Sequence, residues 1–338
     1  MKHQKALAAT GIVVAMLLSA CSSNGSKLSD VDYSMNDATA EPSISMETPF
    51  ISKETQTHVI NEGTGDSISE GDELVIDATI FSGEDAKSQQ TSYPSSPLMI
   101  PVSKDLKDNA PDLYDMLTGH KVGTSFSYST NMVKSGPTAS PSPLGEDNPT
   151  NIEVYTVQQK LLKEAQGKEL PKDQVNKALE SFNISDQDGS ATIKLSKDRG
   201  DAPKKLVSQS LIEGEGKKVS ENDNVYVRYQ GVQWSDGKAF DGNFGDKGNT
   251  ASFPLGGVIK GWTEGLKDKP VGSRVLLLVP ADQAYGEKPS QQGQPAGALV
   301  FVVDILGATP GQAMPKDATH GQMKKPEDPS ASAQPSQK

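Results

Sequence analysis

Cysteine is almost absent, with one, Cys21, in 338 residues. An internal disulfide framework and any thiolate-rich zinc or iron-sulfur site are thereby excluded. Histidine is scarce as well, and His3, His58, His120 and His320 are scattered without the spacing of metal ligands, so neither metal nor cofactor is expected. No Gly-x-Ser-x-Gly elbow, phosphate loop or dinucleotide fingerprint occurs, which leaves hydrolase and nucleotide chemistry unsupported. Positive charge is in deficit: 33 Lys+Arg face 44 Asp+Glu for a net charge of −11, which argues against a sequence-independent grip on nucleic acid. Aromatics make up only 5% and hydrophobics 34%, beside 31 Gly and 22 Pro, the composition of compact domains diluted by loops and polar tails.

The apolar run from Ala6 to Leu18 is too short to span a bilayer as a stable helix. It follows Lys2, His3 and Lys5, the anatomy of a secretory signal over residues 1–20. The run ends in Leu18-Ser19-Ala20-Cys21, which resembles the lipobox of bacterial lipoproteins. That resemblance implies that Cys21 is lipidated, becomes the mature N-terminus and anchors an extracytoplasmic protein to the cell membrane. A buried structural cysteine is the alternative, but Ser22 to Ser26 offer it no core. The polar stretch up to Ala40 reads as a tether, assigned to 21–40.

The chain repeats itself. Glu62-Gly63-Thr64-Gly65 through Asp72 recurs as Glu213-Gly214-Glu215-Gly216 through Asp223, 151 residues on, with six of eleven positions identical. Leu113, Leu117 and Val122-Gly123 recur as Trp262, Leu266 and Val271-Gly272. Two related domains are expected, at 41–164 and 191–308. The intervening 165–190 reads as a linker with a short amphipathic helix, because Val175, Ala178, Leu179 and Phe182 follow Pro171 at helical spacing. Residues 134–150, with Pro137, Pro141, Pro143 and Pro149, read as a long loop. Residues 309–338 are nearly free of aliphatics and are expected to be a disordered tail.

In the second half Val225, Val227 and Tyr229 alternate with polar neighbours, the period of a half-buried strand. Ser273 to Val279 and Ala298 to Leu306 are continuous apolar strands, and Val258, Ile259, Trp262 and Leu266 have helical spacing. The fold class is α+β, an antiparallel sheet wrapped around one short helix. In this order the second domain resembles the FKBP-type peptidyl-prolyl cis-trans isomerases. The resemblance is carried by Val227-Arg228-Tyr229-Gln230-Gly231, Asp236 to Asp241, Phe253-Pro254-Leu255-Gly256, Val258-Ile259-Lys260-Gly261-Trp262, Val271-Gly272-Ser273, Ala284-Tyr285-Gly286 and Leu299-Val300-Phe301.

The resemblance implies an FKBP-like fold in two tandem copies and one cleft in the second. Tyr229, Phe240, Asp241, Trp262 and Tyr285 are the catalytic set; Val258, Ile259 and Phe301 complete the substrate-binding wall. Trp262 is the floor, Tyr285 donates to the substrate carbonyl, and Asp241 orients. Taken singly, Val258, Ile259 and Phe301 read as plain core, while Trp262 reads equally well as packing or as site. Implied partners are proline-containing unfolded or exported polypeptides, and a macrolide is a candidate ligand. Ala251, where the family often has an aromatic, and the Ser290-Gln291-Gln292-Gly293-Gln294-Pro295 loop thin the wall. In the first copy Ala78 stands at the place of Tyr229 and Leu113 at that of Trp262, so a degenerate, noncatalytic domain is expected. A noncatalytic chaperone or protein-binding scaffold on the cell surface is the alternative function.

Overall fold

A computed structural model describes residues 25–35, 40–133, 142–145, 147–171, 182–187, 189–245, 250–288 and 293–312. The signal segment, Cys21, most of the expected helix at 171–182 and the tail from 313 lie outside the described residues. The first half contains strands β1 (Asp32–Ser34), β2 (Ser43–Ser45), β3 (Gln56–Asn61), β4 (Glu73–Phe81), β5 (Ser88–Thr91) and β6 (Leu98–Pro101). Helices α1 (Lys104–Asn109) and α2 (Pro111–Gly119) follow, then β7 (Ser125–Ser129), the two-residue strands β8 (Met132–Val133) and β9 (Ser142–Pro143), and β10 (Ile152–Lys160). The second half holds β11 (Lys168–Glu169), β12 (Phe182–Gln187), β13 (Ser190–Leu195), β14 (Val207–Glu213), β15 (Asp223–Gln233), β16 (Ala239–Gly242) and β17 (Ala251–Pro254). It ends with α3 (Lys260–Leu266), β18 (Arg274–Val279) and β19 (Leu299–Pro310).

The duplication is visible strand for strand. The first sheet runs β3-β7-β10-β4-β5 with β6 also on β4; the second runs β14-β18-β19-β15-β16 with β17 also on β15, and β11 extends its edge. Register agrees as well: Ala78 pairs with Tyr155 as Tyr229 pairs with Val303. In both halves a helix lies against the inner face, where Leu117 packs on Phe126 in one and Trp262 and Leu266 on Leu277 in the other. Helix α3 can press this close because a Cβ on Gly261 would stand 2.3 Å from Val279 Cγ1, and one on Gly265 2.6 Å from Leu277 Cδ2.

Each copy also starts earlier than its sequence suggests. The hairpin β1-β2 pairs Asp32 with Ser45 and Tyr33 with Ile44, and β12-β13 pairs Phe182 with Leu195 and Asn183 with Lys194, the same register 150 residues on. Both hairpins cover the outer face of their sheet. Tyr33, Ile44, Leu28 and Val31 pack on Phe81, Ile152 and Val154, and Phe182, Ile184 and Ile193 pack on Trp234, Leu276, Val300 and Val302. Residues 25–35 are therefore folded rather than tether, and the 165–190 segment contributes strands to the second domain, which reaches Pro310. The expected boundaries at 40/41 and 190/191 each cut through a hairpin, which left β1 in the tether and β12 in the linker.

The domains meet at one end of the first sheet. Val75, Leu161 and Tyr226 form a buried cluster with Met99, and the Leu162 amide donates to the Leu306 carbonyl at 3.0 Å. Beside it Thr250 Oγ1 donates to Glu73 Oε2 at 2.6 Å. Burial pushes the Glu73 carboxyl above its ordinary range, opposed by Thr250 and by the charge of Arg228.

Candidate functional site

The inner face of β15 and β19 and the underside of α3 bring a set of rings together. Strand alternation puts Tyr229 and Phe301 on one face, β17 adds Phe253, β16 adds Phe240, and α3 presents Trp262. Trp262 is at the centre. It meets Tyr229 at 5.2 Å between ring centroids and 90° between planes, Phe301 at 5.4 Å and 87°, and Phe253 at 5.7 Å and 82°. Phe240 in turn meets Phe301 at 5.7 Å and 83°. These edge-to-face contacts each add about 0.5–1.5 kcal/mol beyond the apolar area they bury. Gly231 lets the last pair approach, since a Cβ there would lie 2.8 Å from both Phe240 Cζ and Phe301 Cε1.

Polar groups gather at one side of the rings. The Tyr229 hydroxyl donates to Asp241 Oδ2 at 2.6 Å, and the Gly242 amide donates to Asp241 Oδ1 at 2.9 Å. Both carboxylate oxygens are thus engaged, which fixes the orientation of Asp241. Asn243 locks the strand edge: its Oδ1 accepts from the Tyr229 amide at 2.7 Å and its Nδ2 donates to the Val227 carbonyl at 3.1 Å. Burial, then the Asp241 carboxylate, pushes the Tyr285 phenol up to about 12. Burial acts first on Tyr229 too, with the Asp241 hydrogen bond and charge adding to a further rise. Both phenols therefore stay protonated and able to donate at neutral pH.

Seven of the eight expected residues of the cleft lie in or against one apolar cluster, in two layers, and Asp241 joins it through the Tyr229 hydroxyl. Val258, Ile259, Trp262 and Phe301 are closed from solvent, and Tyr229 is 5% exposed, whereas Phe240, Asp241 and Tyr285 are partly open. The Trp262 floor is roofed by neighbouring rings, and its Nε1–H has no acceptor among the described residues. The rings that meet Trp262 are Tyr229, Phe253 and Phe301, and Phe240 reaches it only through Phe301. Gly286, at φ +85°, lets the chain reverse after Tyr285, with its amide donating to the Ala281 carbonyl at 2.9 Å. The expected site set lacks Phe253, Asn243 and Gly231. Phe253 carried a signal, its place in the quoted Phe-Pro-Leu-Gly block; Asn243 and Gly231 act through a backbone grip and through missing bulk, which residue type alone does not disclose.

Among the described residues no group of three or more His, Cys, Asp or Glu could hold a metal ion. Residues 215–306 match the family described as FKBP-type peptidyl-prolyl cis-trans isomerase. The chain is 39% identical over 109 residues to a probable FK506-binding protein of Corynebacterium glutamicum, covering 32% of this chain and 92% of that relative. It is 35% identical over 111 residues to an FK506-binding protein of Streptomyces anulatus, covering 32% and 89%. To the FKBP-type peptidyl-prolyl cis-trans isomerase FkpA of Escherichia coli it is 40% identical over 105 residues, 31% of this chain and 38% of FkpA, so it spans little more than a third of that relative's length.

Proposed function

This chain belongs to the FKBP-type peptidyl-prolyl cis-trans isomerase family, and from that premise we propose that it is a membrane-anchored, extracytoplasmic isomerase assisting the folding of exported proteins. The observation that carries the site is the ring cluster centred on Trp262, with Phe240, Asp241 and Tyr285 at its open rim. Proline-containing polypeptides enter between Phe240 and Tyr285. Rotation about an Xaa-Pro bond breaks amide resonance against a barrier of about 18–20 kcal/mol. The planar amide is the more dipolar form, so a dry, ring-lined seat penalises it more than the twisted form. Tyr285, held neutral, donates to the substrate carbonyl; Asp241 holds the Tyr229 phenol and shapes the wall. No covalent step is needed.

Anchoring through Cys21 is supported by the Leu18-Ser19-Ala20-Cys21 sequence after a charged and then apolar leader. The first domain is noncatalytic in this reading: the position of Tyr229 is Ala78, that of Trp262 is Leu113, and no Ala-Tyr-Gly block follows β7. A macrolide ligand is compatible with the same rings, with Ala251 and the Gln-rich loop weakening its wall.

The test is cis-to-trans relaxation of a proline peptide by the full chain. Catalysed relaxation that falls in Phe240→Ala supports the reading, and a rate equal to the uncatalysed one in the unaltered protein overturns it.

A further inference from the structure

The first domain has Ala78 and Leu113 at the places of Tyr229 and Trp262, yet it forms the same sheet and sits between residues 25–35 and the isomerase domain. Its attachments lie at opposite ends of the same strands. At one end the chain is fixed from Gly25 onward. The Ser26 amide donates to the Ile51 carbonyl at 2.7 Å, the Ile51 amide to Ser26 Oγ at 3.0 Å, and Gln56 Nε2 to the Ser26 carbonyl at 2.9 Å. Leu28 is 1% exposed. This end adjoins the last residues of β4 and the first of β10, because the Phe50 amide donates to the Gly83 carbonyl at 2.7 Å and the Thr150 amide to the Phe50 carbonyl at 2.9 Å. The isomerase domain grips the other end of the same two strands, through Glu73 and Val75 at the start of β4 and Leu161 just after β10. Nine residues of strand separate the two ends of β4, or roughly 26 Å at about 3.3 Å per residue.

We propose that the first domain is a rigid stand-off, seated with its Ser26–Lys53 end on the phospholipid headgroups and holding the isomerase domain about one strand length further from the bilayer. The proposal rests on lipidation of Cys21. Given that anchor, only residues 22–25 separate Cys21 from Ser26, a reach of at most roughly 18 Å even fully extended. A tether of that length cannot carry a folded domain clear of the headgroup layer. The chemistry of the seated end fits such a surface. An open groove of about 570 Å³ there is lined by Lys27, Lys53 and His58 with the hydroxyls of Ser29 and Thr57, against a single carboxylate, Glu54. In a chain of net charge −11, the groove itself sets two lysines against one carboxylate, with Asp30 beside it taking the Ser29 hydroxyl, and Lys27 and Lys53 are the groups that would meet lipid phosphates.

The experiment uses the full chain extracted from host membranes and reconstituted in phosphatidylglycerol/phosphatidylcholine vesicles that carry an energy-transfer acceptor on the headgroups. A donor dye is placed by Lys53→Cys at the seated end or by Lys163→Cys at the isomerase end, both exposed positions. Transfer from position 53 should exceed that from position 163 by at least about twofold, the consequence of a strand length of roughly 26 Å. Inserting a flexible twenty-residue Gly/Ser segment after Ser23, ahead of the described residues, should abolish the difference. Equal transfer from both positions in protein that floats with the vesicles, or no effect of the insertion, overturns the stand-off while leaving the anchor intact. Protein that fails to float, with Cys21→Ser behaving identically, overturns the anchor and the stand-off together.

Discussion

Glu153 stands in the first domain where Phe301 stands in the second. Each lies two residues before the partner of Ala78 or Tyr229, respectively Tyr155 and Val303. An apolar wall position has thus become a carboxyl, which burial pushes above its ordinary range and to which the Tyr155 hydroxyl donates.

With that wall, the first domain should turn over no proline bonds. In the full chain Phe240→Ala should lower kcat/KM by about tenfold, a loss of about 1.4 kcal/mol of transition-state stabilisation. Phe240→Ala combined with Tyr285→Phe should bring peptide relaxation close to the uncatalysed rate. Fast residual turnover in the double variant would reassign activity to the first domain.

Arg274 and Asp304 form a buried ion pair, Nε to Oδ1 at 2.6 Å and Nη2 to Oδ2 at 2.8 Å, and Arg274 also pairs with Asp186 of the β12-β13 hairpin. The first copy fills the same two places with a neutral hydrogen bond, Ser125 Oγ to Thr156 Oγ1 at 2.9 Å. Breaking a buried pair from one side costs about 3–5 kcal/mol, so Asp304→Ala should cost that much in urea denaturation. Arg274→Ser with Asp304→Thr, which copies the first domain, should cost less than the single change; a double variant as unstable as Asp304→Ala would contradict this.

The seat of α3 depends on a missing side chain. Gly261→Ala places a Cβ against Val279 Cγ1, and overpacking of this kind costs about 1–3 kcal/mol. It should lift Trp262 and lower both the melting temperature and isomerase activity. Adding Val279→Ala should restore part of each, which calorimetry and the peptide assay can follow together.

Alkaline stability follows from buried phenols. Burial pushes Tyr33, Tyr226 and Tyr285 from 10.0 up to about 12. The unfolded chain releases these protons first as pH rises, so the folded state holds more protons in that window and loses stability through it. The stabilisation is complete below pH 10 and fades between pH 10 and 12. Denaturant midpoints should fall steeply across that window, and Tyr226→Phe should flatten the fall. An unchanged slope in that variant would remove Tyr226 from the account.

The core of the isomerase domain was legible because its signals are local: alternation over Val225, Val227 and Tyr229, helical spacing from Val258 to Leu266, and ordered short blocks. The repeat was legible from glycines and acids at its start, and the structure extends it to the whole sheet order. The β1-β2 hairpin escaped because each strand is three residues long with one central apolar residue, Tyr33 or Ile44; β12-β13 carries alternation in Phe182 and Ile184 and in Ala191, Ile193 and Leu195, which the helical reading through Phe182 and the boundary at 191 cut across. An indirect sign was present. Continuous apolar runs at 273–279 and 298–306 mean strands covered on both faces, and in an antiparallel sheet with one helix the second cover has to come from elsewhere in the chain. The roof over Trp262 was illegible for another reason: ring exposure is decided by contacts among four strands and a helix, far apart in sequence.

The β12-β13 hairpin closes the back of the isomerase sheet, so the second domain is not a cassette that can be lifted out at residue 191. A cut there removes one arm of the hairpin and uncovers Trp234, Val300 and Val302 to water. Such a fragment would clump with its own kind rather than report on catalysis. Any truncation meant to stand alone has to keep the chain from Phe182 onward.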